Sequence, residues 1–171
     1  MNCKINHETH EIHERIEKSF IGSCLVRKNV AHAKSAKYAK FGYMDREKIE
    51  AVGKDILDVA FEMHTQFGSG LLEKAYRVIL AAELRRRGHK VDEEKTCGLD
   101  FNGNHYDNMF RVDLLVDETI VVELKSVSRM EPVFSKQCLT YLRFMNLKLS
   151  YVINFGMPFL KDGISRVVNS I

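Results

Sequence analysis

The segment Arg111-Val-Asp-Leu-Leu-Val-Asp-Glu-Thr-Ile-Val-Val-Glu-Leu-Lys125 constrains the fold more than any other stretch of the chain. Two apolar runs, Leu114 to Val116 and Thr119 to Val122, flank the polar pair Asp117-Glu118. Their β-branched content around that pair predicts a short β-hairpin. Asp113, Glu123 and Lys125 interrupt its apolar pattern. Glu123 and Lys125 are two apart and share one face of a strand. A tight turn on Asp117-Glu118 would pair position 113 with 122. A three-residue loop or a bulge would instead set Asp113 beside Glu123, and that irregularity is the expectation. Two carboxylates and an ammonium on one apolar hairpin are costly unless compensated, and a divalent cation would compensate them.

At 171 residues and 45% hydrophobic content, the chain is one domain with room for an appendage. No apolar run is long enough to span a bilayer and the N-terminus is polar, so a cytoplasmic protein with no membrane partner is expected. Cys3, Cys24, Cys97 and Cys138 lack C-x-x-C spacing and read as reduced thiols. Residues 1–43 hold eight Lys/Arg against four Glu, whereas residues 44–171 hold 18 basic and 19 acidic residues. The second segment therefore lacks the overall basic footprint of a strong non-specific DNA binder.

Residues 1–43 are read as a loosely attached extension, with a short helix from His7 to Phe20 and an Ala/Lys-rich stretch after it. His7, His10 and His13 read as a solvated polar face, because their spacing is not that of a zinc helix. From Met44 the pattern changes. Asp45 is a candidate N-cap. A helix over about 46 to 67 follows from Ile49, Val52, Ile56, Val59, Ala60, Met63 and Phe67. Gly68-Ser-Gly70 stops it. A second helix, about 71 to 87, presents Leu72, Tyr76, Ile79, Leu80 and Leu84 as its apolar face. Glu73 in its first turn suits the positive helix end. Arg85-Arg86-Arg87 suits the opposite end and could equally touch phosphate.

Lys90 to Leu99 reads as a strand, Asn102-Gly103-Asn104 as a turn, and Met109–Val116 with Thr119–Val127 as the hairpin. Pro132 opens a third helix to about 146, with Val133, Cys138 or Leu139, Leu142 and Met145 on its apolar side. Gln137 and Tyr141, four apart, share a helix face. Leu149 to Phe155 reads as a buried strand and Ile164 to Val168 as a last edge strand. The order α-α-β-β-β-α-β-β predicts an α/β fold, a mixed sheet with helices on its faces.

Glu73 on a helix, Asp113 on one strand, Glu123-x-Lys125 on the next and Gln137-x-x-x-Tyr141 on the following helix resemble the PD-(D/E)XK nuclease superfamily. Within it the chain resembles the small GxxExxY proteins. The matching strings are Gly70-Leu-Leu-Glu73-Lys-Ala-Tyr76, Met63-His64, Glu83-Leu84-Arg85, Asn154-Phe155-Gly156 and Leu160-Lys-Asp-Gly-Ile164. Val112 stands where the superfamily name has proline. The resemblance covers about 45 to 170. It implies a restriction-endonuclease-like core over 44–171 and Mg²⁺-dependent (or Mn²⁺-dependent) phosphodiester hydrolysis of nucleic acid, DNA before RNA. It assigns Asp113, Glu123 and the Leu124 carbonyl as metal ligands. It makes Lys125 the group that holds the attacking water, with Glu73 supporting the metal through water or a second ion. Gln137 and Tyr141 would position phosphate or Lys125. Two rivals stand beside this reading. One is a non-catalytic nucleic-acid or protein-binding module on the same core, and the other a structural homodimer whose hairpin charges only pair.

Overall fold

The computed structural model describes residues 46–170. The expectations for residues 1–43, the three spaced histidines and the Asp45 cap fall outside them. Helix α1 (Arg46–Phe67) and helix α2 (Glu73–Arg86) precede strands β1 (Val91–Phe101), β2 (Asn104–Val116) and β3 (Ile120–Lys125). Helix α3 (Pro132–Met145), strand β4 (Leu149–Asn154), a 3-10 turn (Leu160–Gly163) and strand β5 (Ile164–Val168) complete the chain. The five strands form one sheet in sequence order, β1-β2-β3-β4-β5. Only β3 and β4 run parallel. Helix α3 makes the crossover between them, as a parallel pair requires. A mixed sheet flanked by helices is the α/β arrangement expected from the element order, and it is consistent with the restriction-endonuclease-like core that the resemblance implies.

Adjacent strand residues show how the layers are built, since their side chains point to opposite faces. On β5, Ser165 meets Ser135 of α3 while Arg166 reaches Glu50 of α1. The sheet is therefore covered by α3 on one face and by α1 on the other. The α1 and α2 side buries Ile56, Val59, Tyr76, Leu80 and Leu84. On the opposite face Leu115 and Val121 pack with Tyr141, Leu142 and Leu147. The central strands β3 and β4 are buried along almost their whole length, which explains their near-continuous apolar sequences.

Three features depart from the sequence reading. Strand β2 begins at Asn104 rather than 109, because Asn104, His105 and Tyr106 pair with the end of β1 before a register shift. Ladder hydrogen bonds hold that extension without a buried face, so no apolar alternation marks it. Leu72 is 81% exposed, since it is the extended N-cap of α2 and not part of the helix face. Val133, assigned to the apolar side of its helix, is 58% exposed, while Phe134 turns toward the ammonium of Lys125.

Candidate active site

The turn that closes the β2–β3 hairpin sets the site. Val116 faces Ile120, so Asp117, Glu118 and Thr119 make a three-residue loop. Asp117 and Glu118 both adopt positive φ, 48° and 58°, and the Thr119 amide donates to the Val116 carbonyl. The additional residue shifts the register by one: Leu114 pairs with Val122, and the next step sets Asp113 level with Glu123. The loop is itself pinned. The Asp117 amide donates to the Lys90 carbonyl, the Lys90 amide to Asp117 Oδ1, and the His89 ring lies between Asp117 and Asp55.

Asp113 Oδ2 accepts the Leu124 amide at 2.8 Å, tying its carboxylate to the main chain between Glu123 and Lys125. Lys125 Nζ donates to Glu123 Oε1 at 2.8 Å. Glu123 Oε2 is buried and meets no donor. Burial, reinforced by the Asp113 charge, pushes the Glu123 carboxyl up to about 7, and the bond from Lys125 offsets this only in part. Burial opposes the charge on Lys125, but the Glu123 hydrogen bond and the surrounding carboxylates outweigh it and raise its pKa. The carboxylates around Lys125 thus favour its ammonium form. Partial burial also raises Glu73, which interacts electrostatically with Lys125 and Asp113. Glu73, Asp113, Glu123 and Lys125, spread over three elements, therefore share one electrostatic neighbourhood. Gln137 donates to the Tyr141 hydroxyl, and Tyr141 interacts with both Glu123 and Lys125 from the α3 side.

The donor set suits a hard cation. Two carboxylates meet at Asp113 and Glu123, and one buried carboxylate oxygen has no partner. Among the described residues no three His, Cys, Asp or Glu are grouped so as to hold an ion by themselves. Two carboxylates can serve a divalent cation that keeps part of its water shell, whereas a closed cage needs more ligands.

Several residues whose part the sequence did not reveal build the frame. Tyr76 is fully buried, its hydroxyl donates to the Gly68 carbonyl at 2.6 Å, and it accepts the Leu71 amide at 3.2 Å. It thereby fixes the loop that delivers Glu73. The hydroxyl of Ser126, the residue after β3, donates to the Leu71 carbonyl at 2.8 Å and joins that loop to the Lys125 end of the hairpin. The buried Asn154 side chain accepts the amides of Val127 and Gly156 and donates to the Val127 carbonyl. Its position beside Lys125 in the β3–β4 ladder lets one amide clamp the exit of β3. Asn is compatible with such a role, but a strand-end Asn is too common to signal it. Arg85, Arg86 and Arg87 have partners within the fold: they bond Glu93 and the Val91 carbonyl, Glu83, and Glu62 respectively.

The described residues contain no helix long and apolar enough to cross a membrane. A family model described as the PD-(D/E)XK nuclease superfamily matches residues 50–167. Among solved structures, one titled "Crystal structure of SSO0001" aligns with 95% of this chain and 78% of its own, at 13% identity and a TM-score of 0.42. Comparison with curated proteins gives no match.

Proposed function

The chain belongs to the PD-(D/E)XK nuclease superfamily, and we propose that it hydrolyses phosphodiester bonds in nucleic acid, with DNA as substrate and Mg²⁺ or Mn²⁺ as cofactor. The observation that carries this reading is the Glu123 carboxylate beside the Asp113 charge, with Oε1 accepting from the Lys125 ammonium and Oε2 buried without a partner. Asp113, Glu123 and the Leu124 carbonyl would hold the cation, which supplies charge neutralisation at the scissile phosphate. Lys125, kept protonated, donates to the attacking water or a phosphate oxygen and offsets developing negative charge. Glu73 orients water from the α2 side, and the Gln137–Tyr141 pair positions the phosphate or Lys125 from the α3 side. The finer resemblance to the GxxExxY proteins agrees with this, because Tyr76 of that motif holds the loop of its glutamate.

A second reading, a non-catalytic binding module on the same core, is favoured by the charge balance of residues 44–171, 18 basic against 19 acidic. Incubation with plasmid, single-stranded DNA and RNA in Mn²⁺ or Mg²⁺, with Asp113→Ala alongside, separates the two. Cleavage by the wild type alone supports hydrolysis. Binding without cleavage by either protein leaves the module.

A further inference from the structure

The outer face of α3 is charged in a way no other helix of the described domain matches. From Pro132 to Lys161 the chain contains Lys136, Arg143, Lys148 and Lys161 and not one Asp or Glu. Helix α1, by contrast, interleaves acids and bases, and the basic end of α2 is consumed by its own carboxylate partners. Lys136, Thr140 and Arg143 are exposed at i, i+4 and i+7, one above another on a single face. Lys136 and Arg143 pair with no carboxylate among the described residues, and their Cα atoms lie about 10 Å apart along the axis.

Apolar groups flank this stripe where a buried helix side would not have them. Val133 and Phe144 are exposed on its edge. Phe144 tilts against Phe110 at 6.1 Å, and Phe110 stacks on Tyr141 at 4.7 Å and 8°. Tyr141 in turn interacts with Glu123 and Lys125. A continuous row of rings thus runs from the carboxylate cluster to the edge of the basic stripe.

We infer that the outer face of α3 is a binding track for single-stranded DNA, with phosphates on Lys136 and Arg143 and a base stacked on Phe144. Cations without internal partners complement a polyanion, and an exposed aromatic offers its face to a base only when that base is unpaired. Two cations are a small electrostatic footprint, which suits a strand held partly by stacking better than a duplex held by phosphate contacts alone. The inference rests on the nuclease reading and deepens it: the track delivers a strand past Tyr141 to Lys125.

The test is fluorescence anisotropy in EDTA with a labelled oligonucleotide of about 15 nucleotides, single-stranded and as a duplex, across a salt series. The single strand is expected to bind at least about tenfold tighter than the duplex. Lys136→Gln/Arg143→Gln should flatten the plot of log K against log salt by about 1.4, two phosphates at roughly 0.7 each. Phe144→Ala should weaken the single strand and leave the duplex unchanged, and Arg86→Gln should change neither. Equal binding of duplex and single strand, or an unchanged salt slope in the double variant with a wild-type melting curve, overturns the track. Asp113-dependent cleavage in Mn²⁺, measured alongside, keeps the two ideas apart. Cleavage with no track defect refutes only the track, and a track without cleavage refutes only the nuclease.

Discussion

The rings of Tyr76 and Phe155 lie parallel, with centroids 4.1 Å apart and planes 6° apart. His64 stacks on Phe155 as well, and its Nε2 donates to the Met157 carbonyl. Three strings far apart in sequence, around residues 64, 76 and 155, are therefore one packed unit beneath the Glu73 loop. Tyr76→Phe keeps the ring stack but strips the Gly68 carbonyl and Leu71 amide of their partner. It should cost about 1–2 kcal/mol, read by urea unfolding. Cleavage should fall further than stability accounts for, because the loop carrying Glu73 loosens. A variant with wild-type stability and activity would show that the hydroxyl anchors nothing.

Asp113 crowds Glu123 in the metal-free protein, while Lys125 is paired with Glu123 instead. Asn at 113 can still accept the Leu124 amide. Asp113→Asn should therefore melt at or above the wild-type temperature in EDTA, and should lose the rise that Mg²⁺ or Mn²⁺ gives the wild type. That rise corresponds to about 2.7 kcal/mol at one hundred times Kd. A structural ion pair predicts the reverse, a loss of about 3–5 kcal/mol with no response to metal.

His89 gives the hairpin turn a pH dependence. Both ring nitrogens face carboxylates, Asp117 at 2.7 Å and Asp55 at 3.1 Å, and both can donate only when the ring is protonated. Burial opposes that charge, but the two carboxylates outweigh it and raise the pKa above the ordinary value. A group raised in the folded state contributes fully below its unfolded value, about 6.5, and loses that contribution as pH rises through the folded value. Wild type should exceed His89→Gln in unfolding free energy at pH 6 by on the order of 1 kcal/mol. The gap should narrow at pH 9. A gap that is constant or widens would contradict the assignment.

Two glycines near the site should respond in opposite ways. A Cβ on Gly156 would meet the Val127 carbonyl oxygen at 2.4 Å and its nitrogen at 2.6 Å, so Gly156→Ala must push the exit of β3 away. It should cost at least about 2 kcal/mol and reduce cleavage. At Gly70, the glycine of the G-x-x-E-x-x-Y string, an added methyl would have nothing within 4 Å. Gly70→Ala should be neutral in stability, or stabilising by about 0.4–1 kcal/mol. Paired thermal melts of the two variants check both expectations.

Much of this was legible in the residues. The periodicity of α1, the stop at Gly68 and the buried run of β4 report local physics, in which apolar spacing decides the element. The placement of Asp113 against Glu123 was legible for a different reason: charges on an apolar hairpin admit few registers, and the three-residue loop supplies the one that groups them. Leu72, Val133, Arg85 and Arg87 were not legible, because their surroundings come from other elements of the fold. Hydrophobicity cannot tell a cap residue on a rim from the first residue of a buried face. A basic run cannot announce that Glu62 and Glu93 will arrive beside it. Asn154 and Tyr76 act through main-chain atoms elsewhere in the fold, and no spacing rule encodes such contacts.

The Asn154 clamp touches Val127 only through its main-chain nitrogen and oxygen, and Gly156 crowds those same atoms. The Val127 side chain, meanwhile, is exposed. Architecture and chemistry are thereby separated at a single position next to Lys125: the backbone is locked while the side chain is a free variable. Any residue that tolerates the local backbone can stand at 127 without disturbing the hairpin, so the surface at the exit of β3 can be retuned there without renegotiating the fold.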